Sequence, residues 1–277
     1  MLCPMSTGSI VVRRSLGRQL RAARLAAKKS PADVNAAGIA STTKLNRLET
    51  GQGPYRLADV RALCWLYGLD DPTTATLSEM ALNTASEGWW ETYSDVLPSW
   101  FSMYAELETA ATEVLSWDPE LVPGLLQLPE YTRALAESDP RLSAQQVERQ
   151  VNMRSQRQAA VAARANPLRI RAVLGAGVLA RHVGGEEVMK HQRQTLEMAV
   201  HDGRAAIGVI PWRLGAHPAM QGAFALLRFA SEDHPDVVYL ETRAGGRYVT
   251  KEDVVEDYLR LFEIIEKQST PIEEYVA

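Results

Sequence analysis

The stretch Ser41-Thr42-Thr43-Lys44-Leu45-Asn46-Arg47-Leu48-Glu49-Thr50-Gly51 brings two opposed demands into about three helical turns. At about 100° per residue, Leu45 and Leu48 share a face with Glu49, while Thr42, Thr43, Asn46 and Arg47 spread over the opposite one. One side can be anchored and the other is free to touch something. Ser41 is placed to cap the first turn, its hydroxyl accepting from an otherwise orphan backbone N–H. Gly51 can end the helix in the left-handed conformation that strains a residue with a Cβ. The pattern predicts a short, sharply bounded helix with small hydrogen-bonding residues at its exposed N-terminal end. Such a helix fits a DNA major groove and reaches base edges.

With 277 residues the chain can hold one good core and a second domain, and 46% apolar with 23% charged residues excludes wholesale disorder. No apolar run approaches the roughly 18 to 20 residues of a membrane span, and the first residues lack the apolar core of a signal peptide, so a cytoplasmic protein with no membrane partner is expected. Cys3 and Cys64 offer neither metal spacing nor a disulfide framework, and Cys64 reads as core. The net charge of -4 conceals a division: residues 1–70 hold 11 Lys+Arg against 4 Asp+Glu, a net of +7, leaving 19 against 30, a net of -11, for the rest. A basic module on an acidic body confines the phosphate-attracting field to the part that carries the opening helix.

Around that helix the N-terminal part reads as a bundle. Residues 1–14 carry no periodic pattern and predict a mobile arm ending in Arg13 and Arg14. Leu16, Leu20, Ala23 and Ala27 then run at helical spacing as far as Lys28-Lys29. Ser30-Pro31 is a helix start, a capping hydroxyl before Pro at the first helical position, and the short helix that follows breaks at Gly38. Beyond the opening helix and the loop Gly51-Gln52-Gly53-Pro54, helices are expected from about Arg56 to Tyr67 and from Pro72 to about Asn83.

Residues 16–70 resemble the Cro/phage-repressor helix-turn-helix, also called the xenobiotic-response-element type. The matching residues are Leu16-Gly17-Arg18-Gln19-Leu20-Arg21, Arg24, Ser41, Lys44-Leu45-Asn46-Arg47-Leu48-Glu49-Thr50-Gly51, Leu63, Leu66 and Gly68-Leu69. The resemblance implies that Thr42, Thr43, Asn46 and Arg47 face bases and that Ser30, Thr50 and Gln52 lie near phosphates, with Lys44 and Arg56 as neighbouring cations on the backbone. It also implies an internal ion pair between Arg24 and Glu49, which makes Glu49 structural. Two departures stand out. Pro31 replaces a Gln that commonly touches DNA, and Gly38-Ile39-Ala40 stands where Leu-Gly-Val is usual, which leaves the turn between the second and third helices less defined.

Past the bundle, Trp89-Trp90, Tyr93, Trp100, Phe101 and Tyr104 fall close together, either as an interface between domains or subunits or as second-domain core. Residues 71–140 carry 13 acidic residues and one basic one, Arg133, so DNA would be repelled from this segment. Helical signals cover Glu106 to Ala111 and Glu130 to Glu137, with a strand at Glu113 to Trp117 and a turn at Val122 to Leu126. Ser143 to Ala163 is the longest helical pattern, with Val147, Val151 and Ala162 on an apolar side. Its Arg149, Arg154, Arg157 and Arg164 could meet an acidic partner or DNA, with a solvated face the reading expected. Strands are expected at Leu168 to Leu174, Ala206 to Ile210, Ala223 to Phe229 and Val237 to Glu241, with helices at Glu186 to Ala199 and Thr250 to Lys267.

The expected architecture is therefore multi-domain. An all-α, five-helix helix-turn-helix domain at 15–83 follows the 1–14 arm, then an aromatic-rich connector at 84–104. An α+β regulatory or partner-binding domain at 105–277 carries one mixed sheet with packed helices. Here too a resemblance can be read. Trp89-Trp90-Glu91, Tyr93-Ser94-Asp95, Leu121-Val122-Pro123-Gly124-Leu125-Leu126-Gln127, Val183-Gly184-Gly185, Gly215-Ala216-His217, Gly222-Ala223-Phe224 and Val237-Val238-Tyr239-Leu240-Glu241 are similar to the C-terminal domain of WhiJ-like actinobacterial regulators. That resemblance implies a transcriptional regulator, encoded beside a small partner protein and sometimes described as antitoxin-like.

Gly175-Ala176-Gly177-Val178-Leu179-Ala180 fits a dinucleotide fingerprint, but Val183-Gly184-Gly185 would cut short the long helix that a pyrophosphate needs. His182, His191 and His201, spaced by nine and ten residues, fit no usual metal pattern. His217, with Trp212 and Arg213 in the same glycine-bearing loop, marks a candidate ligand or partner loop. The expectation is a non-enzymatic, homodimeric binder of a double-stranded DNA operator, without cofactor or metal, whose C-terminal domain senses a small partner protein or ligand. The alternative is an antitoxin-like protein-interaction module.

Overall fold

The computed structural model describes residues 9–84, 93, 101–230 and 235–276. The chain divides into two units, residues 1–88 and 89–277. Trp89, Trp90 and Trp100 lie outside the described residues.

The first unit is all helical: α1 Ser9–Ala26, α2 Pro31–Ala36, α3 Thr42–Glu49, α4 Leu57–Tyr67 and α5 Asp71–Asn83. Its core is one cluster, with Leu16, Leu20, Val34, Leu45, Leu48, Val60, Leu63 and Leu77 nearly or fully buried. The caps follow from sequence. Ser30 closes a capping box with Asp33, Ser41 Oγ accepts from Lys44 N at 3.2 Å, and Asp70 Oδ1 accepts from Thr73 N at 2.9 Å. Gly38 ends α2 at φ +71°, so the departed turn keeps a left-handed residue. The arm expected over residues 1–14 is corrected, because α1 begins at Ser9. The apolar repeat that marks α1 starts only at Leu16, but Arg13 has tertiary partners. Its Nη2 donates to Thr84 O at 3.0 Å, and the Tyr55 hydroxyl lies 2.7 Å from its carbonyl oxygen.

The second unit is α+β. Its helices are α6 Phe101–Ala110, α7 Pro129–Glu137, α8 Ala144–Ala162, α9 Ala176–Ala180, α10 Glu186–His201 and α11 Glu252–Gln268. The strands are β1 Glu113–Asp118, β2 Arg169–Gly175, β3 Ala205–Ile210, β4 Phe224–Arg228, β5 Val237–Thr242, β6 Gly245–Val249 and β7 Thr270–Pro271. They form one mixed sheet in the order β6-β5-β4-β1-β2-β3-β7. β1, β2 and β3 run parallel, while β4, β5, β6 and β7 join antiparallel. Because successive side chains alternate, one face packs Ala172, Leu174, Ile207 and Val209 against Tyr131, Met189 and Leu196. The other packs Leu115, Trp117, Val173 and Leu226 against Phe262 and Ile265 of α11.

The sequence expectation differs in three places. β6 and β7 went unread, since β6 opens on Gly245-Gly246, which weaken a strand signal, and β7 is two residues long. Of the two readings of the aromatic cluster, second-domain core is the one Phe101 and Tyr104 take, but inside α6 and not in a connector over 84–104, with stacked rings 5.3 Å apart and Tyr104 4.6 Å from Tyr239. Third, the arginines of α8 are not all solvated: Arg157 is buried while Ala162 is exposed. The reason is a partner distant in sequence, since Glu108 of α6, itself buried, takes the Arg157 guanidinium bidentately, at 2.6 Å from Nε.

Candidate nucleic-acid interface

Helix α3 presents the residues singled out by the sequence. Leu45 and Leu48 are buried, whereas Thr42, Thr43, Asn46 and Arg47 are all exposed, together with Thr50, Gln52 and Arg56. Glu49 is turned inward. Arg24 Nε and Nη2 donate to its two carboxylate oxygens at 2.6 and 2.9 Å, and Arg24 Nη1 donates to Lys29 O at 3.0 Å. Glu49 holds the Arg24 guanidinium above its ordinary pKa against the opposing effect of burial. This pair joins α1 to α3, so the exposed face of α3 has a fixed orientation within its unit.

A second constraint comes from close approach. A Cβ on Gly17 of α1 would lie 2.5 Å from Leu48 O and 2.9 Å from Glu49 O, so α1 passes directly against the end of α3. Tyr55, buried, donates from its hydroxyl to that same Leu48 carbonyl. Gly51 has φ +77°, and a Cβ there would lie 2.9 Å from Arg14 Cγ. The last turn of α3 is thus closed from three sides, while its first turn stays open.

Thr43, Lys44, Arg47 and Arg56 converge on a groove of about 390 Å³ beside α3, shared with Ser41, Pro54 and Asp59. Three of the expected backbone contacts already have partners within the protein. Lys44 Nζ pairs with Asp59 at 2.7 Å, Thr50 Oγ1 donates to Asn46 O at 2.8 Å, and Ser30 Oγ donates to Asp33 Oδ2 at 2.8 Å. The Ser30 and Thr50 hydroxyls are engaged within the protein, and a phosphate would have to take them over. Asp33, its carboxylate held below the usual range by the Ser30 amide and hydroxyl, sets a negative charge beside Ser30. Gln52 and Arg56 carry no such engagement among the described residues.

The loop singled out in the second unit holds Trp212, Arg213 and His217 in different surroundings. Trp212 and Arg213 are exposed, with the Trp212 ring over Gly177, where a Cβ would meet it at 3.3 Å. His217 packs edge-on against Trp117, ring centroids 5.1 Å apart, with Nδ1 buried and without a hydrogen-bond partner among the described residues. Burial pushes its pKa down, which favours neutral imidazole. Packing also explains the glycines of the fingerprint, since a Cβ on Gly175 would lie 2.7 Å from Pro119 O, and α9 stops after five residues. No group of His, Cys, Asp or Glu among the described residues could hold a metal ion, and no described helix is long and apolar enough to cross a membrane.

Residues 15–77 match the model of a helix-turn-helix domain, and residues 101–274 match that of a domain of unknown function, DUF5753. The chain belongs to the DUF5753 family. No curated protein matches it. Joined to a helix-turn-helix, the DUF5753 domain sits in a chain whose N-terminal unit points to DNA-binding regulation. The layout is consistent with a regulator of the xenobiotic-response-element type. What sequence reasoning missed in the DUF5753 domain is a cavity of about 400 Å³ lined by Arg154, Asp118 and Tyr239 among others. One signal for it was present: Val147, Val151 and Arg154 fall on a single helical stripe, so the apolar side of α8 carries a cation.

Proposed function

We propose that this protein is a sequence-specific DNA-binding transcriptional regulator of the WhiJ-like type, acting in the cytoplasm as a homodimer on a double-stranded operator. In this reading residues 15–83 bind DNA, 84–104 connect, and 105–277 sense a small partner protein or ligand. Thr42, Thr43, Asn46 and Arg47 read bases, while Ser30, Lys44, Thr50, Gln52 and Arg56 position the unit on phosphates. The observation that carries the reading is the split of α3. Its apolar residues are buried and Glu49 is locked to Arg24, yet its four polar reading residues are exposed on one open face. A surface so rigidly held and so poorly occupied fits the recognition element of a helix-turn-helix.

Selection of bound fragments from genomic DNA, followed by anisotropy titrations on the selected site and on scrambled DNA, tests the proposal. Arg47→Ala should weaken specific binding by about 1–3 kcal/mol and scrambled-DNA binding by less. Equal loss on both would make Arg47 a phosphate contact and remove it from the reading set. Homodimeric binding predicts two half-sites about one helical turn apart, and a footprint over a single asymmetric half-site would count against it.

A further inference from the structure

The 400 Å³ cavity of the second unit is built, not left over. Its floor is the sheet face carrying Ser116 and Asp118 of β1, Ala225 of β4 and Tyr239 of β5, with Ser116 opposite Ala225 and Ala225 opposite Tyr239 in register. Ser116 and Ala225 are short, so the roof formed by α6 and α8 does not meet the floor. The side wall, residues 121–127, is fixed by side chains from outside it. Gln158 Nε2 donates to the carbonyls of Gly124 and Gln127 at 3.1 and 2.8 Å, Gln192 Nε2 donates to Leu126 O at 2.8 Å, and Val122 N donates to the Tyr131 hydroxyl at 3.2 Å. Such a wall keeps its shape when empty, as preformed ligand sites do.

Two arginines enter from the roof in different states. Arg157 is satisfied, bidentate to Glu108 and stacked over Phe101 and Tyr104 at 5.1 and 5.3 Å. Arg154, one turn away, pairs with no carboxylate among the described residues, and its buried Nε has no hydrogen-bond partner among them. Burial, and then the neighbouring charge of Arg157, push its pKa down to about 10, so it still carries its charge near neutral pH. Gly124 leaves it room, since a Cβ there would lie 2.2 Å from Arg154 Nη1. A partly buried guanidinium with no direct partner among the described residues is costly unless something arrives to meet it.

We infer that this cavity is a binding site for a small organic anion with a flat apolar body, its anionic group held by Arg154 and its body lying among Phe101, Tyr104 and Tyr239. Glu108 is already spent on Arg157, and Glu241, which also lines the cavity, acts on Arg154 only through space, with no ion pair between them among the described residues, so the ligand's charge supplies the direct partner that Arg154 lacks. The site rests on the regulatory reading only in making such a ligand an effector, because binding itself needs no DNA. The test is therefore done on the full chain without DNA, apart from any measurement on Arg47. Calorimetry and thermal melting would compare 3-phenylpropionate and indole-3-acetate with their neutral amides, and phenyl phosphate with both carboxylates to distinguish the two anionic groups. At least one anion should bind more than tenfold tighter than the amides and raise the melting temperature. Arg154→Met should abolish that preference while leaving the ligand-free melting temperature unchanged or raised, an outcome that a purely structural arginine would not give. Ala225→Leu, which fills the floor, should abolish binding of every probe while the melting temperature holds. Equal binding of anions and amides, binding indifferent to both substitutions, or no binding of any probe at millimolar concentration would each overturn the assignment.

Discussion

Two buried acids in this chain behave oppositely, and each yields a measurement. Glu49 is matched by Arg24, so removing one partner strands the other in a nearly closed site. Arg24→Ala should cost about 3–5 kcal/mol in urea unfolding, whereas the double replacement Arg24→Met with Glu49→Leu should cost much less, since no charge is left buried alone. Among the described residues Asp118 accepts from the Ser116 hydroxyl alone, at 2.5 Å, and burial raises its pKa to about 7. A carboxyl with a raised folded-state pKa stabilises the fold fully below its unfolded value near 4, and that contribution is lost as pH rises through about 7. Asp118→Asn should therefore stabilise the protein at pH 8, on the order of 1–3 kcal/mol, and make little difference at pH 4, as thermal melting at the two values would show. Glu49 was legible from the sequence because its helix repeats a known pattern. Asp118 was not, since its burial depends on a roof contributed by residues far along the chain.

At the scale of elements, α3 was readable because its information is local: a capping serine, two leucines three residues apart and a terminal glycine lie within eleven residues. Helix α8 was misread for the converse reason. Its spacing shows where arginines fall on the helix, but Glu108, which decides that Arg157 is buried, is 49 residues away. The contact of α1 with α3 makes a test in which two local rules give opposite signs. Gly17→Ala inside α1 would stabilise an isolated helix by about 1 kcal/mol. Against that, the new Cβ would meet the backbone oxygens of Leu48 and Glu49, which cannot swing aside as a side chain can. Such overpacking costs about 1–3 kcal/mol, so a net loss of stability is expected. DNA affinity should fall with it, although every reading residue is intact, because α3 must tilt. Melting curves and anisotropy on the same variant check both.

The whole molecule divides its charge between its two units, with 11 Lys+Arg against 7 Asp+Glu, a net of +4, on residues 1–88 and 19 against 27, a net of -8, on residues 89–277. At low salt the acidic remainder should oppose the approach of phosphate, so a fragment of residues 1–88 should bind scrambled DNA more tightly than the full chain. The difference should vanish at several hundred millimolar salt, where screening lengths drop to a few ångströms. Titrations of both chains across salt would show the curves converge, and parallel curves would mean that the acidic charge plays no part. The helix-turn-helix core closes on residues 16–81 alone. The sheet has no such independence. Its middle strand β1 pairs with β2 on one side and β4 on the other, and Glu113 finds its partner at Arg228. During synthesis, then, β1 must wait for more than a hundred further residues before both of its edges are satisfied. The part proposed to grip DNA is finished long before the part proposed to govern it, so each newly made molecule passes through an interval in which grip exists without governance.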